Sequence, residues 1–192
     1  MSVVYGQTPQ RCELTLANAP NLRGFYLGMK DEEIKKKLPK IVLPKADILG
    51  YSKLSLSFFP LPDRYTSYGD DENPNSIDVE KSTQYKGWQT ITFEFVDNKA
   101  VSIRLVYDST IKWKNLTEFI KQFSEPLNVP SVWLIDSDSK DKASIDCNGF
   151  RIKSQLTGQT NPTVYFVDLD ASKLIRQREN DSKNKEKKNF KP

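Results

Sequence analysis

Apolar and polar residues alternate with period two in several stretches, the pattern of strands with one buried face. In residues 52–59 the apolar positions are Leu54, Leu56 and Phe58. Residues 88–96 and 101–107 continue the pattern on either side of Asp97-Asn98-Lys99, which predicts a hairpin because asparagine tolerates a left-handed backbone. Asn148-Gly149 predicts a second hairpin between 143–147 and 150–156. A last strand is predicted over 163–169.

Helical periodicity is clearest after Asn115, a residue suited to cap a helix. The apolar positions that follow have the spacing i, i+3, i+4 and i+7 and are Leu116, Phe119, Ile120 and Phe123. Pro126 ends this helix. A shorter helix is predicted over 31–38, where Glu33 is placed as the acid of a capping box. A third, short helix is predicted near 171–178.

This order of elements predicts an α+β fold, an antiparallel sheet of about six strands with two or three helices packed mainly on one face. We expect an N-terminal segment over 1–21, a single domain over 22–171, and a short helix with a basic tail over 172–192. Residues 60–84 are rich in Pro, Ser, Asn and Asp and predict a long surface loop. Both halves of the domain follow a helix-then-three-strands order, but they show no repeat at the level of residues.

The charge of the chain is concentrated in its tail. The net charge is +4, and residues 172–192 contribute 8 minus 3, or +5, so the body carries −1. A nucleic-acid-binding domain normally places its basic residues on a folded face, so nucleic acid is not the expected partner. No apolar run reaches the roughly 18–20 residues of a membrane-spanning helix.

The two cysteines bear on the compartment. Cys12 and Cys147 belong to no CxxC pair, which excludes a zinc knuckle or a thioredoxin-like site. In an exported protein they are a possible disulfide, whereas in a cytoplasmic protein they are expected to be buried as free thiols. The small residues Val4 and Gly6 before Gln7 match a signal-peptidase cleavage site, whereas the charged and long apolar parts of a signal peptide are missing. The N-terminal segment is therefore a possible signal-peptide remnant, and an ordinary first strand is the alternative. Export is therefore favoured, as a periplasmic or secreted protein, and the cytoplasm is the alternative.

Several kinds of chemistry lack their residues in this chain. There is no histidine, which removes the commonest general base and most transition-metal sites. No glycine-rich phosphate loop is present. Asp136 and Asp138 match the first and third positions of a calcium loop, but the fifth, sixth and twelfth positions do not fit. We therefore expect no enzyme activity, no metal and no cofactor, although paired carboxylates in space remain a third, less favoured hypothesis.

Aromatic and basic residues outside the predicted core are the candidate partner-binding residues. Tyrosine is favoured at interfaces because it buries a large area at a low entropy cost. Three tyrosines lie on the long loop and its end, and the tail carries several lysines and one phenylalanine that can act as an anchor. The candidates are Tyr65, Tyr68, Tyr85, Lys187, Lys188, Phe190 and Lys191.

The stretch Leu-Arg-Gly-Phe-Tyr-Leu-Gly-Met-Lys-Asp-Glu-Glu-Ile at 22–34 resembles the start of a helix in two related groups. These are the SmpA/OmlA-type outer-membrane assembly lipoproteins and the β-lactamase-inhibitor-like repeats. Gly28, Met29, Glu33 and Ile34 match their motif, whereas Lys30 replaces the capping hydroxyl residue, so Asp31 is expected to cap instead. The resemblance implies an exported, non-catalytic module whose sheet or loops contact a protein partner.

The leading hypothesis is thus a non-enzymatic, extracytoplasmic subunit that binds a protein partner or supports assembly of a complex. The alternative is that the basic tail binds an anionic surface or nucleic acid, which predicts an affinity that falls steeply with salt.

Overall fold

The computed structural model of this chain describes residues 12–59, 75–79, 81–131, 133–157 and 160–189. It contains three α-helices and eight strands in these residues. The helices are α1 (Asp31–Lys37), α2 (Leu116–Ser124) and α3 (Leu169–Asn189). The strands are β1 (Tyr51–Phe59), β2 (Ser76–Asp78), β3 (Trp88–Val96), β4 (Lys99–Tyr107), β5 (Leu134–Ile135), β6 (Lys142–Asp146), β7 (Phe150–Thr157) and β8 (Thr160–Asp168).

All eight strands form one sheet with the order β2-β1-β3-β4-β8-β7-β6-β5. Every neighbouring pair is antiparallel except β1 and β2, which are parallel. The α+β class with a mostly antiparallel sheet is therefore confirmed, while the expected count of about six strands is two too low. The additional strands, β2 and β5, have only three and two residues, too few to show a period in the sequence.

The two predicted hairpins lie in opposite halves of this sheet. In the β3–β4 turn, Asp97 and Asn98 have φ values of 50° and 63°, the left-handed conformations that a tight hairpin turn requires. In the β6–β7 turn, Gly149 takes this role with φ 88°. The last strands of the halves, β4 and β8, pair at the centre of the sheet, and the halves differ at their outer ends, where β2 is parallel to β1 and β5 is antiparallel to β6.

One face of the sheet carries the core, and α2 packs on that face. Phe93 on β3 and Phe166 on β8 are 0% and 1% exposed. The ring of Phe123 on α2 lies 6.2 Å from that of Phe166. The ring of Phe25, in the segment before α1, lies 5.3 Å from that of Phe93. Both contacts are on the same side, which leaves the other face of the sheet to solvent.

The predicted helix ends are largely reproduced. The Asn115 side chain accepts a hydrogen bond from the Glu118 N–H (2.9 Å) at the start of α2. At the start of α1 the Glu33 carboxylate accepts one from the Lys30 N–H (2.8 Å). Lys30, and not Asp31, is the N-cap residue, so the expectation that Asp31 caps this helix is wrong. The helix begins at Asp31 because the Lys30 backbone is already bridged to Lys99 of β4.

The C-terminal helix is longer than predicted. It begins directly after β8 and extends to Asn189, a length of 21 residues, in place of a short helix near 171–178. The guanidinium of Arg178 fixes its middle by donating hydrogen bonds to the Asp97 carboxylate (2.7 and 2.9 Å) and the Leu49 carbonyl (2.7 Å). The helix therefore crosses the end of the sheet where the β3–β4 turn lies.

A disulfide joins Cys12 to Cys147, residues 135 positions apart. Both cysteines are buried. The adjoining backbone pairs as well, since the Asn148 N–H donates to the Leu14 carbonyl (2.9 Å) and Thr15 forms a bridge with Asn148. The part of the N-terminal segment that the structure describes, from Cys12 onward, is thus attached to the β6–β7 turn.

Candidate protein-binding surface

The face of the sheet opposite the core carries its side chains in rows that cross the strands. These residues alternate with the core residues along each strand, so the strand register determines which of them are neighbours. The central row crosses β5, β6, β7, β8, β4 and β3, in the order Leu134, Ser144, Lys153, Tyr165, Arg104 and Thr92. Lys153 and Arg104 are exposed and Tyr165 is half-buried between them.

The central row holds two cations and no acid. The guanidinium of Arg104 lies 5.6 Å from the centre of the Tyr165 ring, a favourable distance for a cation–π contact. No ion pair among the described residues includes Lys153 or Arg104. The charges of both side chains thus remain available to an external anion.

The row beside it, by contrast, is internally paired. It crosses β6, β7, β8, β4, β3 and β1, in the order Asp146, Arg151, Val167, Ser102, Glu94 and Lys53. Arg151 donates two hydrogen bonds to the Asp146 carboxylate, one of them 2.8 Å long, and Lys53 lies 4.0 Å from Glu94. The hydrogen bonds from Arg151 lower the pKa of Asp146 against the opposing effect of desolvation, and the positive charges of Arg151 and Lys153 lower it further.

A hollow of about 610 Å³ lies at the β5 end of the central row. It extends from β5 to β8, three strand spacings or about 14 Å. Its lining includes apolar, basic and aromatic side chains, with Asp136 as the acid among them. The lining residues include Leu134, Ile135, Asp136, Lys142, Lys153 and Tyr165.

The edge strand β5 borders this hollow with two exposed apolar side chains. Leu134 is 67% and Ile135 53% exposed. The Asp136 N–H donates to the Lys142 carbonyl (2.9 Å), and Leu134 lies opposite Ser144. Because backbone groups alternate in direction along an antiparallel strand, the N–H and C=O of Ile135 point away from β6. β5 therefore offers both apolar side chains and free backbone groups at the sheet edge.

A second hollow, of about 510 Å³, lies between α3 and the turn before β1. Its lining includes Gly50, Asp97 and Arg178, the residues that hold α3 against the sheet. Ile48 at its rim is 95% exposed. The polar groups of this hollow are engaged in the Arg178–Asp97 pair, so the contacts here fix the helix.

The structure places Tyr85 in the core, so the expectation that this residue belongs to an exposed interface is corrected. Tyr85 is 1% exposed, and its ring lies 5.1 Å from that of Phe58 and 5.6 Å from that of Trp88. A 3-10 turn over Thr83–Tyr85 directs the side chain inward. Desolvation by this burial raises the pKa of its hydroxyl.

Two of the remaining predicted interface residues, Lys187 and Lys188, lie in the last turn of α3. Tyr65, Tyr68, Phe190 and Lys191 lie outside the described residues. Cys12 and Cys147, the predicted disulfide pair, meet in the disulfide described above.

Sequence reasoning missed the central row. The one available signal was that the polar positions of predicted strands include Arg104, Lys153 and Tyr165. Their proximity depends on the pairing of β4 with β8, which joins residues about 60 positions apart and leaves no local mark in the sequence.

The residues that the structure describes show neither a metal-binding cluster nor a membrane-spanning helix. These residues contain no cluster of three or more Cys, Asp or Glu side chains able to hold a metal ion. None of their helices combines the length and the apolar character needed to cross a membrane.

Comparison of the chain with protein-family models, with characterised proteins and with solved structures gives no significant match.

Proposed function

We propose that this chain is a non-enzymatic, extracytoplasmic subunit that binds a protein partner through the open face of its sheet. The observation that carries the proposal is the hollow beside β5. It combines exposed apolar residues, a half-buried tyrosine and cations that take part in no ion pair among the described residues. Such a mixture of aromatic, aliphatic and basic groups is typical of protein-binding surfaces.

The position of the apolar residues supports this proposal. Single exposed apolar side chains are normal on protein surfaces. Leu134 and Ile135, however, are adjacent, border a hollow and lie on an edge strand with outward-pointing backbone groups. Edge strands of this kind are usually protected by charge or by a covering segment, so an apolar edge favours a role in binding.

The disulfide supports the extracytoplasmic compartment. Disulfides persist in oxidising compartments and are rare in the cytosol. Cys12 and Cys147 are both buried, and the backbones next to them are hydrogen-bonded to one another, which is typical of a structural disulfide.

A non-enzymatic role is favoured over carboxylate catalysis by the direction of the pKa shifts. A carboxylic acid that donates a proton near neutral pH needs a raised pKa. Among the described residues, the carboxyl groups with a clear shift are Glu33, Asp97 and Asp146, and all three pKa values are lowered by hydrogen bonds or by basic neighbours.

The proposal is tested by recovering the native protein from the cells that make it under mild, non-reducing conditions. Its mass and its co-eluting proteins are then determined. We expect a chain that begins at Gln7 or later, has an intact disulfide and is accompanied by a protein in stoichiometric amount. A chain beginning at Met1, with free thiols and no companion, would contradict both the compartment and the subunit role.

A second candidate function is binding of an anionic surface by the end of α3. It is supported by the continuation of the helix to Asn189, beyond the anchor at Arg178, through a segment rich in lysine. Binding of the chain to anionic vesicles at low salt, lost on removal of residues 181–192, would favour this candidate.

A further inference from the structure

The hollow beside β5 has a chemistry that points to one kind of occupant. Lys142 and Lys153 line it, and Arg104 lies one strand beyond Tyr165 in the same row. No ion pair among the described residues includes any of these three cations. The hollow thus has a net positive charge that the protein itself does not neutralise, and the complementary ligand carries a carboxylate.

The spacing of the cations defines where that carboxylate would lie. Lys153 and Arg104 flank Tyr165 in direct register across β7, β8 and β4. They are therefore separated by two strand spacings, about 10 Å. The Arg104 guanidinium lies 5.6 Å from the centre of the Tyr165 ring, so a carboxylate beside this guanidinium would lie between both cations, within reach of their long, exposed side chains.

The apolar side of the hollow defines a second contact. Leu134 lies in the same row as Tyr165, three strand spacings or about 14 Å away. An extended peptide advances about 3.3 Å per residue, so four or five residues cover this distance. A segment of that length can place an aliphatic side chain against Leu134 and an acid beside Tyr165.

We propose that the hollow between β5 and β8 binds an extended acidic segment of a protein partner. A carboxylate of this segment lies between Lys153 and Arg104, and an apolar side chain lies against Leu134. This inference rests on the proposed function and specifies the chemistry of the partner.

A nucleic acid fits this surface less well. Asp136 lines the hollow, and Asp146 and Glu94 lie in the adjoining row. A phosphate backbone would meet these acids in alternation with the cations, whereas nucleic-acid sites present a continuous basic stripe. A single carboxylate makes use of the two central cations without approaching the acids.

The test is a selection of random peptides displayed on phage against the full, oxidised chain. We expect enrichment of peptides that place Asp or Glu a few residues from Leu, Ile or Val. One selected peptide is then synthesised, and its affinity is measured for the wild type, Lys153→Gln, Arg104→Gln and Leu134→Asp. Lys53→Gln serves as the matched control because Lys53 is also an exposed strand lysine on this face, in the other half of the sheet.

Each loss of a central cation should weaken binding of the peptide about two- to fivefold, the effect of a partly exposed ion pair. Leu134→Asp should weaken it more than tenfold, and Lys53→Gln should leave it unchanged. Because all four positions are exposed, their circular dichroism spectra and melting temperatures are expected to match those of the wild type.

The inference would be overturned by enrichment of peptides without acidic residues, by no enrichment at all, or by equal losses for Lys53→Gln and Lys153→Gln. A single-stranded oligonucleotide that binds more tightly than the peptide and depends on Lys153 would also overturn it. If the native protein still co-purifies with a companion, only the assignment of the hollow fails and the proposed function stands.

Discussion

Asp97 connects three parts of the chain through one side chain. It lies in the β3–β4 turn, and its carboxylate accepts two hydrogen bonds from Arg178 of α3. The same guanidinium donates to the Leu49 carbonyl in the turn before β1. The hydrogen bonds from Arg178 lower the pKa of Asp97 below its ordinary value of 3.8, so the charged carboxylate is favoured in the folded protein.

This shift predicts a pH-dependent contribution to stability. A carboxyl group with a lowered pKa stabilises the folded state at a pH above its unfolded value, and that contribution disappears as the pH falls through the folded value. Asp97→Asn should therefore lower the midpoint of urea unfolding at pH 7, and this difference from the wild type should shrink as the pH falls below 3.8. Asp170→Asn is the control, since Asp170 pairs with Lys173 within α3. A difference for Asp97→Asn that is constant from pH 7 to pH 3 would contradict the prediction.

Tyr85 stabilises the folded state by packing in the core, so its substitutions are expected to change the free energy of unfolding. Its ring contacts Phe58, Phe25 and Trp88 in an aromatic cluster. Tyr85→Ala should lower the free energy of unfolding by about 3–5 kcal/mol, as truncations of buried aromatic residues do. Tyr85→Phe keeps the ring and should cost less than about 1.5 kcal/mol. Chemical denaturation measures both, and a near-neutral Tyr85→Ala would show that the residue is not part of the core.

At the scale of elements, the period-two segments and the capped helix were predictable because each produces a local pattern. β3, β4 and α2 carry apolar residues at regular spacing, and their turns contain Asn or Gly where a left-handed backbone is required. β2 and β5 are too short to show a period. The length of α3 was missed because its sequence is polar on most sides, and polar helices give no periodic signal.

Among the contacts between elements, the disulfide is expected to make the largest contribution to the free energy of unfolding. It closes a loop of 135 positions, which the chain-entropy model associates with about 5 kcal/mol. The double variant Cys12→Ala, Cys147→Ala should unfold at a clearly lower guanidinium concentration than the oxidised wild type. A reducing agent should destabilise the wild type alone. Equal midpoints for the reduced and oxidised wild type would contradict a stabilising role.

The end of α3 is expected to add little to the stability of the domain. Its described polar contacts with the sheet end at Arg178. Removal of residues 181–192 should leave the melting temperature unchanged, whereas Arg178→Ala in the full chain should lower it. If the tail docks onto the partner, the truncation should also weaken partner binding; unchanged binding would count against a docking tail.

At the scale of the whole molecule, the binding surface is a product of the complete sheet. Leu134, Lys153 and Arg104 come from three separate strands, and they share one row only because β5, β6, β7, β8 and β4 pair in this order. The sequence could predict that Lys153 and Arg104 lie on the polar faces of strands, but it predicted no strand at Leu134. It could not predict their proximity, because register between distant strands is determined by packing of the core face.

The predicted interface residues lie in the loop and the tail because neither segment shows the period of a strand or a helix. Aromatic and basic residues outside periodic segments are the visible candidates when no fold is known. Tyr85 lies three positions before Trp88, a spacing compatible with packing of the two rings, and this was the one hint that Tyr85 belongs to the core.

We propose that the open face of the sheet, at the hollow beside β5, contacts a protein partner. The most direct measurement introduces a photo-crosslinking amino acid at Lys142, in the hollow, and in a second protein at Lys121, an exposed position on α2 over the opposite face. Each variant is irradiated in the cells that make the protein. We predict a discrete adduct with another protein from position 142 and none from position 121. Equal adducts from both positions, or an adduct from position 121 alone, would contradict the claim.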